Sequence, residues 1–377
     1  MKSFIYSVLL SLFVLNLSAQ PAEQPVRLAV AGISHDHVGW ILGKKDKSKV
    51  VLVGIYEPNK ELVAKQMKRF GLPANLFYDN LEKMLDEVKP EAVSAFGPIY
   101  NHLAVVEAAA PRGIHVMVEK PLAVSIVHAE RMQQLANKYN IQLLTNYETS
   151  WYPTTEESYR LANDSNYVGK IRKVIFHHGH EGPKEINVSN EFFSWLTDPV
   201  KNGGGAIIDF GCYGANIMTY LMKGVEPISV TAVTRQFKPE IYPKVDDEAT
   251  IIVEYPDAQC IIEASWNWPF GRKDLELYGQ TGYIITKDNK ELRRRNKATK
   301  EEIIEQFTAK DLNVYDDPFA YFADVIRKKI SVPRFSPYSL SNNMAVGKIL
   351  DAARKSAASG KTVTFKNNQS AGPNKKR

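Results

Sequence analysis

The sequence predicts an α/β protein: an N-terminal doubly wound parallel sheet of the Rossmann type, then an α+β domain built on a large, mostly antiparallel open sheet. Two observations carry this expectation. Between residues 26 and 147 short apolar runs alternate with helical segments. After Trp151 most apolar segments turn strand-like and are separated by turn signals.

In the first region the strands are expected at 27–31, 50–56, 92–96, 115–119 and 142–145, with helices at 60–70, 102–110 and 125–139. Strand and helix in alternation imply right-handed crossovers and a sheet covered on both faces. In the second, a helix at 154–162 precedes strands at 171–177, 229–236, 249–255, 259–267, 274–279 and 283–287. Several of these alternate polar with apolar, as a half-exposed antiparallel sheet does. One helix at 206–222 interrupts them, and two more at 318–328 and 337–359 follow. The resulting domains are 26–147, 148–336, a closing helix and strand at 337–365, and a basic tail at 366–377 that reads as disordered.

The 377 residues have ordinary apolar and charged content, enough for two globular domains. Residues 1–19 read as a secretory signal: Lys2, an apolar run from Phe4 to Leu15, and small Ser18 and Ala19 at the cut. That run falls short of the roughly 20 residues a membrane span takes, so no stable membrane insertion is expected. With no twin arginine at the start and no cysteine at the cut, the expectation is export by the general route, to the periplasm or outside the cell. Residues 20–25 link signal to domain.

The net charge of +6 is not concentrated. The basic run 287–300 is interleaved with Asp288 and Glu291 and followed by Glu301 and Glu302, which suits a solvated hairpin or loop and not a nucleic-acid surface. Cys212 and Cys260 are too few for a disulfide scaffold and read as small buried thiols, although an oxidising compartment would permit one bridge.

The first strand runs into Gly32-Ile33-Ser34-His35-Asp36-His37. Dinucleotide folds place glycine here because backbone amides must approach a pyrophosphate at a helix N-terminus. Only Gly32 of the usual three glycines is present; Ser34, able to donate to a phosphate oxygen, and His37, needing a looser strand–helix contact, occupy the other two positions. A metal pair of His35 and His37 is not expected, for want of a cysteine or carboxylate cluster to join them. Glu57 ends the second strand 25 residues after Gly32, where an acidic side chain accepts from ribose hydroxyls and repels a 2′-phosphate. NAD is therefore expected over NADP, unless Glu57 merely caps the turn before Pro58.

Two further motifs make the reading specific. Gly97-Pro98-Ile99-Tyr100-Asn101-His102 and Gly113 to Ala123, which contains Glu119-Lys120-Pro121, resemble the hallmark of the glucose-fructose oxidoreductase and inositol dehydrogenase family, Gfo/Idh/MocA. Gly203-Gly204-Gly205-Ala206, continuing to Asp209 and Tyr213, resembles that family's second motif. The likeness runs from about Val26 to Phe365. It implies a nicotinamide-dependent oxidoreductase acting on a CH–OH group of a sugar or polyol, assembled as a homodimer or homotetramer. Pro98, His102, Glu119, Lys120 and Pro121 would border the cofactor, together with Gly32, Ser34, His35, His37 and Glu57. Lys120, Asp209 and Tyr213 would be catalytic. The tyrosine is similar to the branch containing glucose-fructose oxidoreductase, xylose dehydrogenase and dihydrodiol dehydrogenase.

Spacing agrees: residues 209 and 213 are four apart and would share one helix face. A nearby ammonium would lower the Tyr213 phenol toward neutral pH. His178, His180 and Lys184 follow the first strand of the second domain, where the family places substrate contacts. Trp151 and Trp195 could stack on a sugar ring or sit in the core. Asn146 ends the last parallel strand, where ligand crevices form. Export implies a tightly held NAD, since free dinucleotide is scarce outside the cytoplasm. Two other functions stay open: an NAD-dependent glycosidase using transient redox of the sugar, and an NAD-retaining binding protein without turnover.

Overall fold

The structure, a computed structural model, describes residues 24–365. The expected signal at 1–19, the first residues of the linker and the tail at 366–377 lie outside the described residues.

The first sheet holds β1 Val26–Ala31, β2 Val50–Tyr56, β3 Phe77–Tyr78, β4 Ala92–Ala95, β5 His115–Glu119 and β6 Leu143–Asn146. All pairings are parallel, in the order β3-β2-β1-β4-β5-β6. β1, at the centre, is buried at every position but Arg27, as a strand covered on both faces must be. Helices α1 Gly39–Leu42, α2 Lys60–Phe70, α3 Leu81–Val88, α4 His102–Ala109 and α5 Ile126–Tyr139 lie between the strands. The start of α2 is fixed by Asn59, whose side chain accepts from the amides of Glu61 and Leu62, and its end by Gly71 at φ 65°. β3 has only two residues, too few for sequence periodicity to reveal.

The second half contains α6 Pro153–Tyr159, β7 Ile171–Gly179, α7 Asn190–Leu196, α8 Ala206–Asp209, α9 Gly211–Leu221, β8 Ser229–Arg235 and β9 Glu248–Glu254. It continues with β10 Gln259–Ser265, β11 Arg272–Gly279, β12 Gly282–Thr286, β13 Glu291–Asn296, β14 Ile303–Gln306, α10 Ala309–Leu312, α11 Pro318–Ile326, α12 Leu340–Ser359 and β15 Val363–Thr364. The nine strands form one sheet, β14-β13-β12-β11-β7-β10-β9-β8-β15, antiparallel except where β10 meets β7. α9 and α12 pack on its inner face, and α12 also touches α5 and β6, joining the two halves. The basic run forms part of an edge hairpin in which Arg293 pairs with Glu291 and Arg294 with Glu305. Cys212 and Cys260 are buried free thiols.

Two expectations need correction. The helix expected at 206–222 is broken at Phe210. The amide of Tyr213 bonds the Phe210 carbonyl at 3.1 Å, which takes the Asp209 carbonyl out of the helical ladder. Lys120 Nζ then donates to that carbonyl at 3.1 Å. The other correction concerns α11, which lies within 148–336 but packs in the first core: Phe319 and Phe322 are buried with Val26, Leu28 and Phe96. Its apolar face needs cover, and the first sheet supplies it.

Candidate active site

The first sheet reverses strand order between β1 and β4, and ligand crevices open at such switch points beyond the strand ends. A cavity of about 380 Å³ lies there, lined by Gly32, Ser34, Glu57, Gly97, Pro98 and His102 among others. Gly32 has φ 77°, and a Cβ on it would stand 2.8 Å from Gly97 Cα, so neither a side chain nor another backbone fits this crossing. Glu57 uses both carboxylate oxygens, accepting from the Ile33 amide at 3.1 Å and the Asn59 amide at 3.0 Å. It thus caps the turn and faces the crevice at once. Burial raises its pKa. His102 is buried with Nδ1 on the Leu122 carbonyl at 3.1 Å, while its Nε2 lacks a protein partner. Burial pushes its pKa down to about 4, so the ring is neutral. A glycine crossing, an orphaned imidazole nitrogen and a carboxylate at the end of β2 fit a dinucleotide.

Beyond Ser34 the crevice gives way to a second cavity of about 300 Å³, lined by His35, His37, Lys120, His180, Asp209, Tyr213 and Lys273 among others. Lys120 comes from the end of β5, and the peptide joining it to Pro121 is cis. Lys120 forms a buried ion pair with Asp209, whose other oxygen accepts from the Trp266 indole at 3.0 Å. Burial alone would lower Lys120, but the Asp209 carboxylate, with smaller help from Cys212 and Glu119, turns the net shift upward. Burial alone would raise Asp209, and Lys120 turns its shift downward. Both partners are therefore charged at neutral pH. Asp246 accepts from the amides of Gly205 at 3.0 Å and Ile207 at 2.7 Å, fixing the start of α8 and with it Asp209.

Tyr213 lies beneath two ammonium groups, Lys120 Nζ at 4.9 Å and Lys273 Nζ at 5.3 Å from its ring centroid. The cations thus lie over the ring. Burial, with nearby carboxylates, holds the phenol well above its ordinary range, so the expectation of a phenol titrating near neutrality is corrected. Burial likewise holds Cys212 up at about 12, too high for a nucleophile. Lys273 pairs with Glu148, whose pKa falls to about 2: burial opposes ionisation, and the lysine with the Tyr152 hydroxyl overcomes it.

The structure places the remaining expected residues as follows. Glu119 is buried behind the cavity, accepting from Asn146 Nδ2 at 2.6 Å and meeting His37 Nδ1 at 3.2 Å. With His35 it brings the carboxylate whose absence argued against a metal pair, and the three could share a cation. Sequence spacing hid this because Glu119 is 82 residues from His37. Asn146 is occupied by Glu119 and by the Trp151 indole at 2.7 Å, so it positions Glu119 and does not line the cavity. Trp151 is buried in the first core, stacked on Tyr338 at 5.3 Å, and it also borders a further cavity beside Tyr152. Trp195 lines the cofactor crevice, not the substrate cavity, and its indole donates to Ser34 Oγ at 3.0 Å. His180 lines the cavity, whereas His178 is buried edge-on against Tyr213 at 5.6 Å. Burial lowers both imidazoles, to about 4 for His180 and about 3 for His178. Lys184 is exposed and Pro121 buried, and neither lines the two cavities.

Lys273 is the main residue sequence reasoning missed. A signal existed: in β11, residues 273, 275 and 277 share the inward face with Leu275 and Leu277 buried. A lysine in that register at the mouth of a sheet demands a partner or a ligand.

Fold and site together define a dinucleotide-dependent oxidoreductase. Residues 26–147 match the model of the oxidoreductase family with an NAD-binding Rossmann fold, and residues 159–285 that of the GFO/IDH/MocA C-terminal domain. The chain belongs to the Gfo/Idh/MocA family. It is 24% identical over 315 residues to D-xylose 1-dehydrogenase [NADP(+)] of Haloarcula marismortui, covering 80% of this chain and 83% of the relative. It is 24% identical over 338 residues to scyllo-inositol 2-dehydrogenase (NAD(+)) of Bacillus subtilis, covering 86% and 93%. An inositol dehydrogenase homolog from Azotobacter vinelandii, solved with NAD+, shares the fold at a TM-score of 0.80 and 17% identity, over 92% of this chain and 99% of that one.

Proposed function

We propose that the protein is an NAD-dependent dehydrogenase of a secondary hydroxyl, or reductase of the matching ketone, on a sugar, glycoside or polyol. The observation that carries this is the convergence of Lys120, Asp209 and Tyr213 on one cavity next to the crevice of the first sheet. The cofactor supplies a hydride acceptor or donor. Oxidation leaves a ketone, a reduced cofactor and a proton; reduction consumes the same three.

Lys120 handles that proton. As a cation held by Asp209 it can donate to the oxygen of a ketone as that oxygen gains charge. For alcohol oxidation it must first give up its own proton, so oxidation is favoured at alkaline pH. Asp209 and Trp266 fix the lysine, and Tyr213 gives its ammonium an aromatic face to rest against.

Glu57 favours NAD, since a 2′-phosphate would meet a buried carboxylate there. The 1–19 leader supports export, and an exported enzyme would keep its dinucleotide between turnovers. Exposed Val233 and Tyr278 on the outer face of the second sheet support a homodimer or homotetramer. The test is to purify the protein, denature it, identify any released dinucleotide and assay NAD reduction with a panel of sugars and polyols. Bound NAD and turnover are expected; neither binding nor turnover would refute the reading.

A further inference from the structure

Next to the catalytic cavity lies a larger one of about 530 Å³, with Glu148 and Trp151 among its lining residues. Its walls include Trp40, Tyr152 and Phe307, and polar Glu148, Asn289 and Asp316. Trp40 is 38% exposed, although a large aromatic gains by burial. Two contacts join this pocket to the catalytic cavity. The Trp40 ring stacks on His37 at 4.1 Å and 14°, and His37 lines the catalytic cavity. Glu148 pairs with Lys273 and accepts from the Tyr152 hydroxyl at 2.5 Å. A third depression of about 410 Å³ bridges the two, with His180 and Lys273 at one end and Tyr152 and Asn289 at the other.

The path therefore runs from Lys120 past Lys273 and Tyr152 to Trp40 and Phe307. Small-molecule sites span roughly 300–1,000 Å³, and the catalytic cavity alone sits at the bottom of that range. A free monosaccharide or inositol would leave the rest of the path empty. Flat aromatic rings beside carboxylates and an amide match a pyranose, which has apolar C–H faces and a hydroxyl rim. A purely apolar aglycone would make no use of the polar rim that Asn289 and Asp316 supply.

Building on the dehydrogenase reading, we propose that the substrate is a glycoside of at least two sugar rings, one held at Lys120 and the next in the pocket of Trp40, Tyr152 and Phe307. Phe307 and Asn289 thereby become specificity residues, set apart from the reacting ring.

The test compares NAD reduction with glucose, xylose and their methyl glycosides against cellobiose, maltose and xylobiose, for wild type, Phe307→Ala and Asn289→Ala. Stacking worth about 1 kcal/mol corresponds to about fivefold, so Phe307→Ala should raise KM for the preferred disaccharide by about fivefold or more. Its monosaccharide kcat/KM should stay within about twofold, and exposed Asn289 gives a second variant should Phe307→Ala fold poorly. Equal kcat/KM for one-ring and two-ring substrates in wild type would overturn the proposal while leaving the dehydrogenase reading intact. Equal losses on both substrate classes in both variants would also overturn it. No turnover with any sugar would refute both.

Discussion

The cofactor crevice and the catalytic cavity adjoin along Ser34 and His35, yet they are built on opposite terms. The crevice offers a glycine crossing, backbone and a neutral imidazole, and Glu57 is tied down by two amides. The cavity holds two charge pairs, Lys120 with Asp209 and Lys273 with Glu148, arranged about the buried ring of Tyr213. One region can bind by shape without changing its protonation. The other keeps a proton on a buried cation, where low polarity makes every neighbouring charge count.

That contrast predicts that substitutions in the cavity act on the chemical step and substitutions in the crevice on cofactor affinity. The largest effect belongs to Lys120→Met. Loss of the proton donor should lower kcat by about 10³-fold or more while cofactor affinity, read by quenching of protein fluorescence, stays near that of the wild type. Near-normal turnover would break the assignment. Gly32→Ala should do the reverse. The left-handed backbone would cost about 1–3 kcal/mol and the new Cβ would meet Gly97, so cofactor Kd should rise by about tenfold or more with kcat at saturation little changed. A fall in saturated kcat with unaltered Kd would contradict the division. Glu57→Ser should be mildest, moving the ratio of NAD to NADP efficiency by about tenfold toward NADP as the repulsion at the 2′ position is removed. An unchanged ratio would mean that Glu57 serves only its two amides.

The same division explains what the sequence could reveal. Crevice residues follow local rules, because Gly32 and Glu57 stand at the ends of strands that periodicity locates nearly to the residue. Lys120 and Asp209 were legible only through motifs, since 89 residues separate them and no local pattern says that they pair. The break at Phe210 was hidden because the Asp209 carbonyl it frees is met by Lys120, a contact across the two halves. Asn146 misled for a related reason: it stands at the end of β6, where ligands bind, but it bonds to Trp151 and supports Glu119 from behind. Lys273 had a signal in strand parity, yet its partner Glu148 is 125 residues away.

The central claim is that Lys120, held as a cation by Asp209, carries the proton of the reaction. The direct measurement is kcat/KM against pH in both directions, for wild type and Asp209→Asn. In the wild type, oxidation should climb with pH into the alkaline range as Lys120 loses its proton, and reduction should fall over the same interval. Asp209 raises the lysine pKa, so its replacement should move both limbs to lower pH. Limbs that stay in place in Asp209→Asn, or profiles that are flat through the alkaline range, would contradict the account.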